Sequence, residues 1–314
     1  MTVAGIDIGG TKLAAVALAR DEVVARTHAE HAIAGPASLV DAIADAVAQL
    51  DAALTAEGRA PVRALGLGIA AWLTRDRGTV TWAAHLGVRD FALRAALEER
   101  LGMPVVIDND ADAYLLGEVA HGAARGAETA LLLALGTGVG GAYVADGRPL
   151  TGAHGLAGEL GHVTVDEAGP RCSCTARGCI EAYAGGNALA REAALVPAAV
   201  GLAEAEGAAP TARHLELVAR AGDAAASAAY ERAGWAVAAG LRRLLPAFDP
   251  DVIVLGGRVL LAASDLIVPV VERELAAMVP LQGVPQPRRI VLAELGGHAG
   301  AIGAAVRAAA LPTP

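Results

Sequence analysis

The chain has 314 residues, of which 25 are basic and 34 acidic for a formal charge of −9, and 54% of it is apolar although only 3% is aromatic. At roughly 150 residues per domain this length predicts about two domains. The acidic balance and the scarcity of aromatic platforms argue against nucleic acid as a partner.

Met1 and Thr2 lead straight into an apolar strand-like run, Val3 to Ile8, with no basic leader before it, so no signal peptide is expected and the cytoplasm is the expected compartment. Asp7-Ile8-Gly9-Gly10-Thr11-Lys12 follows, then two more strand-like runs, Leu13 to Leu18 and Glu22 to Thr27. Two glycines at a strand corner let backbone N–H groups approach an anion without a Cβ in the way. Thr11 and Lys12 add a hydroxyl and a charge, and Asp7 is placed to hold Mg²⁺; an ordinary hairpin turn is the alternative. Leu39, Val40, Ile43, Val47, Leu50 and Leu54 recur at helical spacing, which predicts an amphipathic helix over Ser38 to Glu57 with Ser38 as its cap.

Ala64 to Ala70 reads as a buried strand, Phe91 to Leu101 as a short helix and Pro104 to Ile107 as a strand that ends at Asp108-Asn109-Asp110, with a helix to about Ala120. Strand ends of α/β sheets are where ligands sit. There an acidic group can take the proton of an attacking hydroxyl and the neighbouring amide can orient the substrate; helix capping is the alternative use of the same residues.

The alternation then restarts. Ala130 to Leu135 is a strand, Gly136-Thr137-Gly138-Val139-Gly140-Gly141 a loop, and Ala142 to Ala145 a strand closed by Asp146-Gly147, a hairpin signal. These glycines also break the most apolar stretch, which therefore does not read as a membrane span. The loop lies between two strands rather than before a helix, so a phosphate-holding hairpin suits it better than a dinucleotide fingerprint. Ala182 to Leu245 is helix-rich with breaks near Gly207 and Gly222, Val252 to Leu255 is a buried strand running into Gly256-Gly257, and Ala299 to Ala310 is a small-residue helix. Paired glycines after a buried strand permit a flat group such as adenine to approach the backbone; a tight strand-to-helix turn is the plain alternative. Each half thus carries a meander with a Gly-rich corner, a repeat of layout rather than of sequence, which predicts two α/β domains with a ligand cleft between them.

The most specific pattern is Gly158-Glu159-Leu160-Gly161-His162, then Cys172-Ser173-Cys174 and Gly178-Cys179-Ile180-Glu181. His162, Cys172, Cys174 and Cys179 form a Cys₃His set, the ligand type and count of a closed tetrahedral zinc site. A cluster of reactive thiols is the competing reading. Glu159 and Glu181 flank the ligands, so the metal would fix two carboxylates in space.

Together these motifs resemble the ROK family (repressors, uncharacterised frames and sugar kinases), in family order and over essentially the whole chain. The resemblance implies an actin-like ATPase (ribonuclease H-like) α/β fold. Its small N-terminal domain spans 1–112 and is completed by the C-terminal helix 299–314; a larger domain, 113–298, carries the zinc site. It implies ATP-dependent phosphorylation of a hexose with Mg²⁺ and structural zinc, and a homo-oligomer, dimer or tetramer. By position Asp110 is the base, and Asn109, Glu159, His162 and Glu181 contact the sugar together with it. Asp7, Gly9, Gly10, Thr11, Lys12, Gly136, Thr137, Gly138, Gly256 and Gly257 hold the nucleotide.

Three departures stand out: Thr175 where many members have Gly, Ala71 at a position often Gly, and Ala84-His85-Leu86 where many have Pro-Asn-Leu. The Ala-His-Leu form with Arg89 is similar to glucokinases of actinobacterial type and favours glucose, with His85 either touching the sugar or lying on the surface. Fructose, N-acetylmannosamine and allose remain alternative acceptors and polyphosphate an alternative donor. The repressor branch is not expected, because its added DNA-binding segment would precede a phosphate loop that begins here at residue 7. A non-catalytic sensor would have no need of Asp110.

Overall fold

The computed structural model describes residues 1–10, 12–277 and 289–312. Thr11 lies outside them. In chain order the elements of the first half are β1 (Thr2–Ile8), β2 (Lys12–Ala19), β3 (Glu22–Glu30), α1 (Pro36–Ala56), β4 (Val62–Ile69), β5 (Trp72–Leu73), β6 (Val80–Ala83), β7 (Val88–Phe91), α2 (Leu93–Leu101), β8 (Val105–Asn109) and α3 (Asp110–His121). The second half runs β9 (Thr129–Leu135), β10 (Val139–Ala145), β11 (Arg148–Pro149), α4 (Ile180–Ala184), α5 (Gly186–Ala193), α6 (Pro197–Ala205), α7 (Ala212–Arg220), α8 (Ala224–Phe248), β12 (Val252–Gly256), α9 (Arg258–Ala262), α10 (Ser264–Ala276), β13 (Arg289–Leu292) and α11 (Ala299–Ala309). The chain forms two compact units: Met1–Ala130 with Ala142–Gly158 and Ala293–Pro314, and Leu131–Gly141 with Glu159–Leu292.

Two five-stranded sheets share one strand order, β3-β2-β1-β4-β8 and β11-β10-β9-β12-β13. In each order an outer hairpin is followed by strands reached through crossovers, so the repeat of layout legible in the glycine corners is a repeat of topology. In the first sheet β1, β4 and β8 run parallel and β1 to β3 form an antiparallel meander. A third sheet, β5-β6-β7, occupies Trp72 to Phe91; Phe91 pairs with Val80 in it, so the helix expected from Phe91 begins only at Leu93. Among the described residues, no helix is long and apolar enough to cross a membrane.

Period-2 alternation decides which face each side chain serves. Ala4, Ile6 and Ile8 of β1, Leu65, Leu67 and Ile69 of β4, and Val105 and Ile107 of β8 join Leu39, Ile43, Val47, Leu50 and Leu54 of α1 in one core. Val3, Ala14, Val16, Leu18 and Ala64 face the other way and pack with Ala301, Ile302, Ala305 and Ala308 of α11. Asp7 and Asp108 share the parity of this second face. The α1 helix starts two residues earlier than its apolar pattern suggests: Gly35 is the cap, Pro36 occupies the first turn, and the Ser38 hydroxyl donates to Gly35 O while accepting from Ala34 N. Proline lacks the N–H that a first turn leaves unpaired anyway, so it starts the helix without cost.

The helix α11 lies so close to α3, β1 and β4 that only glycines fit at the crossings. A Cβ at Gly303 would overlap the Ala113 carbonyl oxygen, one at Gly117 the Ala299 carbonyl, and Cβ atoms at Gly5 and Gly66 would strike carbonyls of α11. These neighbours are backbone and cannot rotate away. Gly303→Ala is therefore expected to destabilise the protein by about 3 kcal/mol, the upper end for overpacking. Urea unfolding that placed the variant within about 0.5 kcal/mol of the wild type would contradict this packing account.

Candidate active site

The first sheet aligns its functional residues by register. Asp7 pairs with Gly68 across β1 and β4, and Gly68 with Asp108 across β4 and β8, so the three form one row with Ile8, Ile69 and Asn109 in the next. The Asp7 carboxylate occupies space left by two glycines. A Cβ at Gly68 would lie 3.4 Å from Asp7 Oδ1 and one at Gly300 2.7 Å from Asp7 Oδ2. The same Gly68 position is 3.8 Å from the Asp110 Cα, so Asp7 and Asp110 are brought together where the sheet meets α3.

Asn109 caps α3 in extended conformation, its Oδ1 accepting from Ala111 N at 2.9 Å, and its Nδ2 donates to Ala71 O at 3.5 Å. Asp110 is the first residue of that helix, at the positive end of its dipole. Burial raises the Asp110 pKa, opposed by hydrogen bonds from Ala111, its own amide and Asn109. Asp7 keeps part of its surface in solvent, yet burial and then the Asp110 carboxylate push its pKa up to about 8. Two carboxylates enclosed together cannot both ionise cheaply. A site of this kind accommodates a proton or a divalent cation.

A stability consequence follows with a definite sign. With the Asp7 pKa at 3.8 unfolded and about 8 folded, the folded state holds the proton across that window and the unfolded state does not, so stability falls as pH rises through it. Asp7→Asn has no such proton to lose. In metal-free buffer its stability advantage over the wild type is expected to grow from pH 4 to pH 8, by at most about 1.4 kcal/mol per pH unit. Parallel urea-unfolding curves at pH 5 and pH 8 would show that Asp7 ionises as readily in the folded protein as in the unfolded one.

The other two carboxylates of this stretch are committed elsewhere. Asp108 accepts from Arg307 Nε at 2.8 Å and pairs with Arg77 Nη1 at 3.5 Å, and Asp112 accepts from Arg77 Nη2 at 2.7 Å. Arg77 and Arg307 are far away in sequence from Asp108, and no local motif marks them. At the Gly9-Gly10 corner, Gly9 N donates to Lys12 O at 3.0 Å. His31 completes this corner, another residue that sequence reasoning missed. Its Nδ1 accepts from Ile33 N at 3.4 Å, which leaves Nε2 to donate to Gly9 O at 2.9 Å. Lys12 is exposed. His85 is also exposed, its Cβ 3.7 Å from where a Gly10 Cβ would lie.

In the second unit the turn between β9 and β10 is short, since Val139 to Gly141 already belong to β10. Gly136 N donates to Gly138 O at 2.9 Å, and the start of α5 grips the turn through Gly186 N to Gly136 O at 2.8 Å and Asn187 N to Thr137 O at 3.0 Å. Gly256 ends β12, and Gly257 caps α9 at φ 85, with no room for a Cβ against the Leu135 backbone.

His162, Cys172, Cys174 and Cys179 converge, with their ligand atoms all within 4.8 Å of one another. His162 Nδ1 lies 3.4 Å from Cys172 Sγ, and Cys174 Sγ lies 3.7 Å from Cys179 Sγ. A tetrahedron with zinc–sulfur bonds of ~2.3 Å has edges of ~3.8 Å, so the four residues fit a metal ion of that size. The other imidazole nitrogen, Nε2, points to Glu159 Oε2 at 3.9 Å. Thr175, in the same loop, sits at φ 75, the left-handed region that favours glycine. Glu181 ties the segment to the hairpin turn: its Oε1 accepts from Ser173 Oγ at 2.6 Å and its Oε2 from Val139 N at 3.1 Å. Gly138 makes this possible, because a Cβ there would overlap Glu181 Oε2.

Residues 3–310 match the ROK family, and the chain belongs to it. The glucokinase of Streptomyces coelicolor is 34% identical over 315 residues, covering 96% of this chain and 95% of that one. Among solved structures, a ROK family glucokinase from Streptomyces griseus in complex with glucose and AMPPNP superposes with a TM-score of 0.82 at 31% identity, over 98% of this chain and 99% of the other. A ROK hexokinase from Thermus thermophilus gives 0.81 at 35% identity, over 98% of both chains. The fold is thus the actin-like ATPase fold of ROK kinases, and the protein is a sugar kinase.

Proposed function

We propose that the protein transfers the γ-phosphoryl group of ATP to the primary hydroxyl of glucose, with Asp110 as general base. The observation that carries this reading is the division of labour at the β8–α3 junction. Asp108 and Asp112 are each bonded to an arginine, whereas Asp110 opens the helix between them, beside Asp7, and burial raises its pKa. Glucose and the adenine nucleotide bound in the Streptomyces griseus relative support the choice of acceptor and donor.

In the reaction Asp110 takes the hydroxyl proton, the sugar oxygen forms a bond to the γ-phosphorus, and the bond from that phosphorus to the β–γ bridging oxygen breaks in line, releasing ADP. Asn109, Glu159, His162 and Glu181 orient the sugar by hydrogen bonding. The Gly9-Gly10-Thr11-Lys12 corner and Gly136-Thr137-Gly138 receive the phosphates, and Gly256 and Gly257 lie along the adenosine. Mg²⁺, held at Asp7, would supply Lewis-acid neutralisation of the phosphate oxygens. Zinc, held by His162, Cys172, Cys174 and Cys179, would supply rigidity to the segment bearing Glu159 and Glu181.

A coupled assay across glucose, fructose, N-acetylmannosamine and allose, with ATP and with polyphosphate, tests the reading. Glucose with ATP should give the highest kcat/KM, since a site built to bond hydroxyls discriminates strongly against misfitting analogues. A better acceptor among the other sugars would overturn glucose, and faster turnover with polyphosphate would overturn ATP.

A further inference from the structure

We propose that Arg77 is a positioning residue for the base: its guanidinium joins the end of β8 to the first turn of α3 and thereby sets where Asp110 sits. The proposal rests on the reading of Asp110 as the base. Asp108 and Asp112 lie two residues to either side of Asp110, and both are buried, at 2% and 1% exposure, as is Arg77 at 6%. Arg77 spans them, with Nη2 bonded to Asp112 at 2.7 Å and Nη1 paired with Asp108 at 3.5 Å. Any shift of the helix start relative to the strand end has to stretch one of these two attachments.

The geometry is that of a brace rather than of a simple ion pair. A guanidinium docked on one carboxylate makes two parallel hydrogen bonds. Here the fork is divided between two carboxylates, and Arg77 Nε and Nη1 are left without a hydrogen-bond partner. The backbone is bent to deliver it: Arg77 has φ 59, and its turn is closed by Arg77 N to Thr74 O at 2.8 Å and Thr74 N to Thr79 O at 3.0 Å. Arg94 N adds a bond to Gly78 O at 3.1 Å. Arg307 holds the second oxygen of Asp108 from α11, so Asp108 is fixed from two directions and Arg77 transmits that fixed point to α3. Asn109 accepts from Ala111 N of the same helix but also has an anchor outside it, its Nδ2 donating to Ala71 O. Loss of Arg77 therefore bears on Asp110 more than on the neighbouring sugar contact.

The test is steady-state phosphorylation of glucose by ATP with Arg77→Lys and Arg77→Met, each also made in the Asp110→Asn background, with thermal unfolding as a folding control. A lysine ammonium is a point charge that cannot reproduce the divided fork. For Arg77→Lys we expect kcat to fall by roughly 10- to 100-fold with the glucose KM within about threefold, because small misplacements of a catalytic group carry losses of that order. In the Asp110→Asn background the same change should alter kcat by less than about twofold, since both substitutions disable one element. Arg77→Met should lose more, and if it does not fold, Arg77→Lys carries the test. Wild-type kcat for Arg77→Lys would overturn the proposal while leaving Asp110 as the base. So would equal losses in both backgrounds, or a KM rise matching the kcat loss. Near-wild-type turnover of Asp110→Asn would remove the reading beneath it.

Discussion

Asp110→Asn is expected to lower kcat by roughly 10²–10⁴-fold while leaving the glucose KM within a few-fold. The amide keeps the shape of the carboxylate and the helix start, but it cannot accept the proton of the attacking hydroxyl. None of the surrounding carboxylates is suited to take its place. Asp108 and Asp112 are bonded to Arg307 and Arg77, and Asp7 is the carboxylate proposed to hold Mg²⁺, which would occupy the lone pairs a base needs. Turnover within about threefold of the wild type, at saturating ATP and glucose, would exclude Asp110 as the base.

Cys174→Ala is expected to remove the bound metal and raise the glucose KM by at least about tenfold, because the segment bearing Glu159 and Glu181 would have to be ordered again at a cost of roughly 1–2 kcal/mol per residue fixed. Seen from the sequence alone, nucleotide affinity should hardly change, since the phosphate loops lie outside the segment. The structure adds a link. Glu181 accepts from both Ser173 and Val139 N, so the segment also steadies the turn at Gly136-Thr137-Gly138. The expected result is accordingly a large loss for the sugar and a smaller one for the nucleotide. Metal content by elemental analysis, glucose KM, and nucleotide affinity without sugar provide the check. Wild-type protein purified without stoichiometric zinc, or equal losses for both ligands, would refute the account.

Much of this site is local in the chain and so was legible without coordinates. The glycine corners, the strand-to-helix junction at Asp108-Asn109-Asp110 and the Cys₃His set each lie within a few tens of residues. Residue type and spacing are enough to name them. The apolar period of α1 and the alternation of β1, β2 and β4 were legible for the same reason, because backbone geometry imposes those periods on any chain. Where several residue types serve one purpose, sequence is ambiguous: Ser38 has the chemistry of a cap, yet Gly35 and Pro36 start the helix.

What the sequence determined by itself was the inventory: the family motifs, the two α/β halves and the ligand types gathered at His162, Cys172, Cys174 and Cys179. Only the tertiary structure decided which carboxylates are bonded to arginines. Three aspartates at 108, 110 and 112 are equivalent as letters. They become different through Arg77, which reaches Asp112 across 35 positions, and Arg307, which reaches Asp108 across 199. Asp7 likewise owes its raised pKa to enclosure beside Gly68 and Gly300 and to its approach to Asp110. Charge state is set by burial and by neighbouring charges in space, and long-range packing alone supplies both.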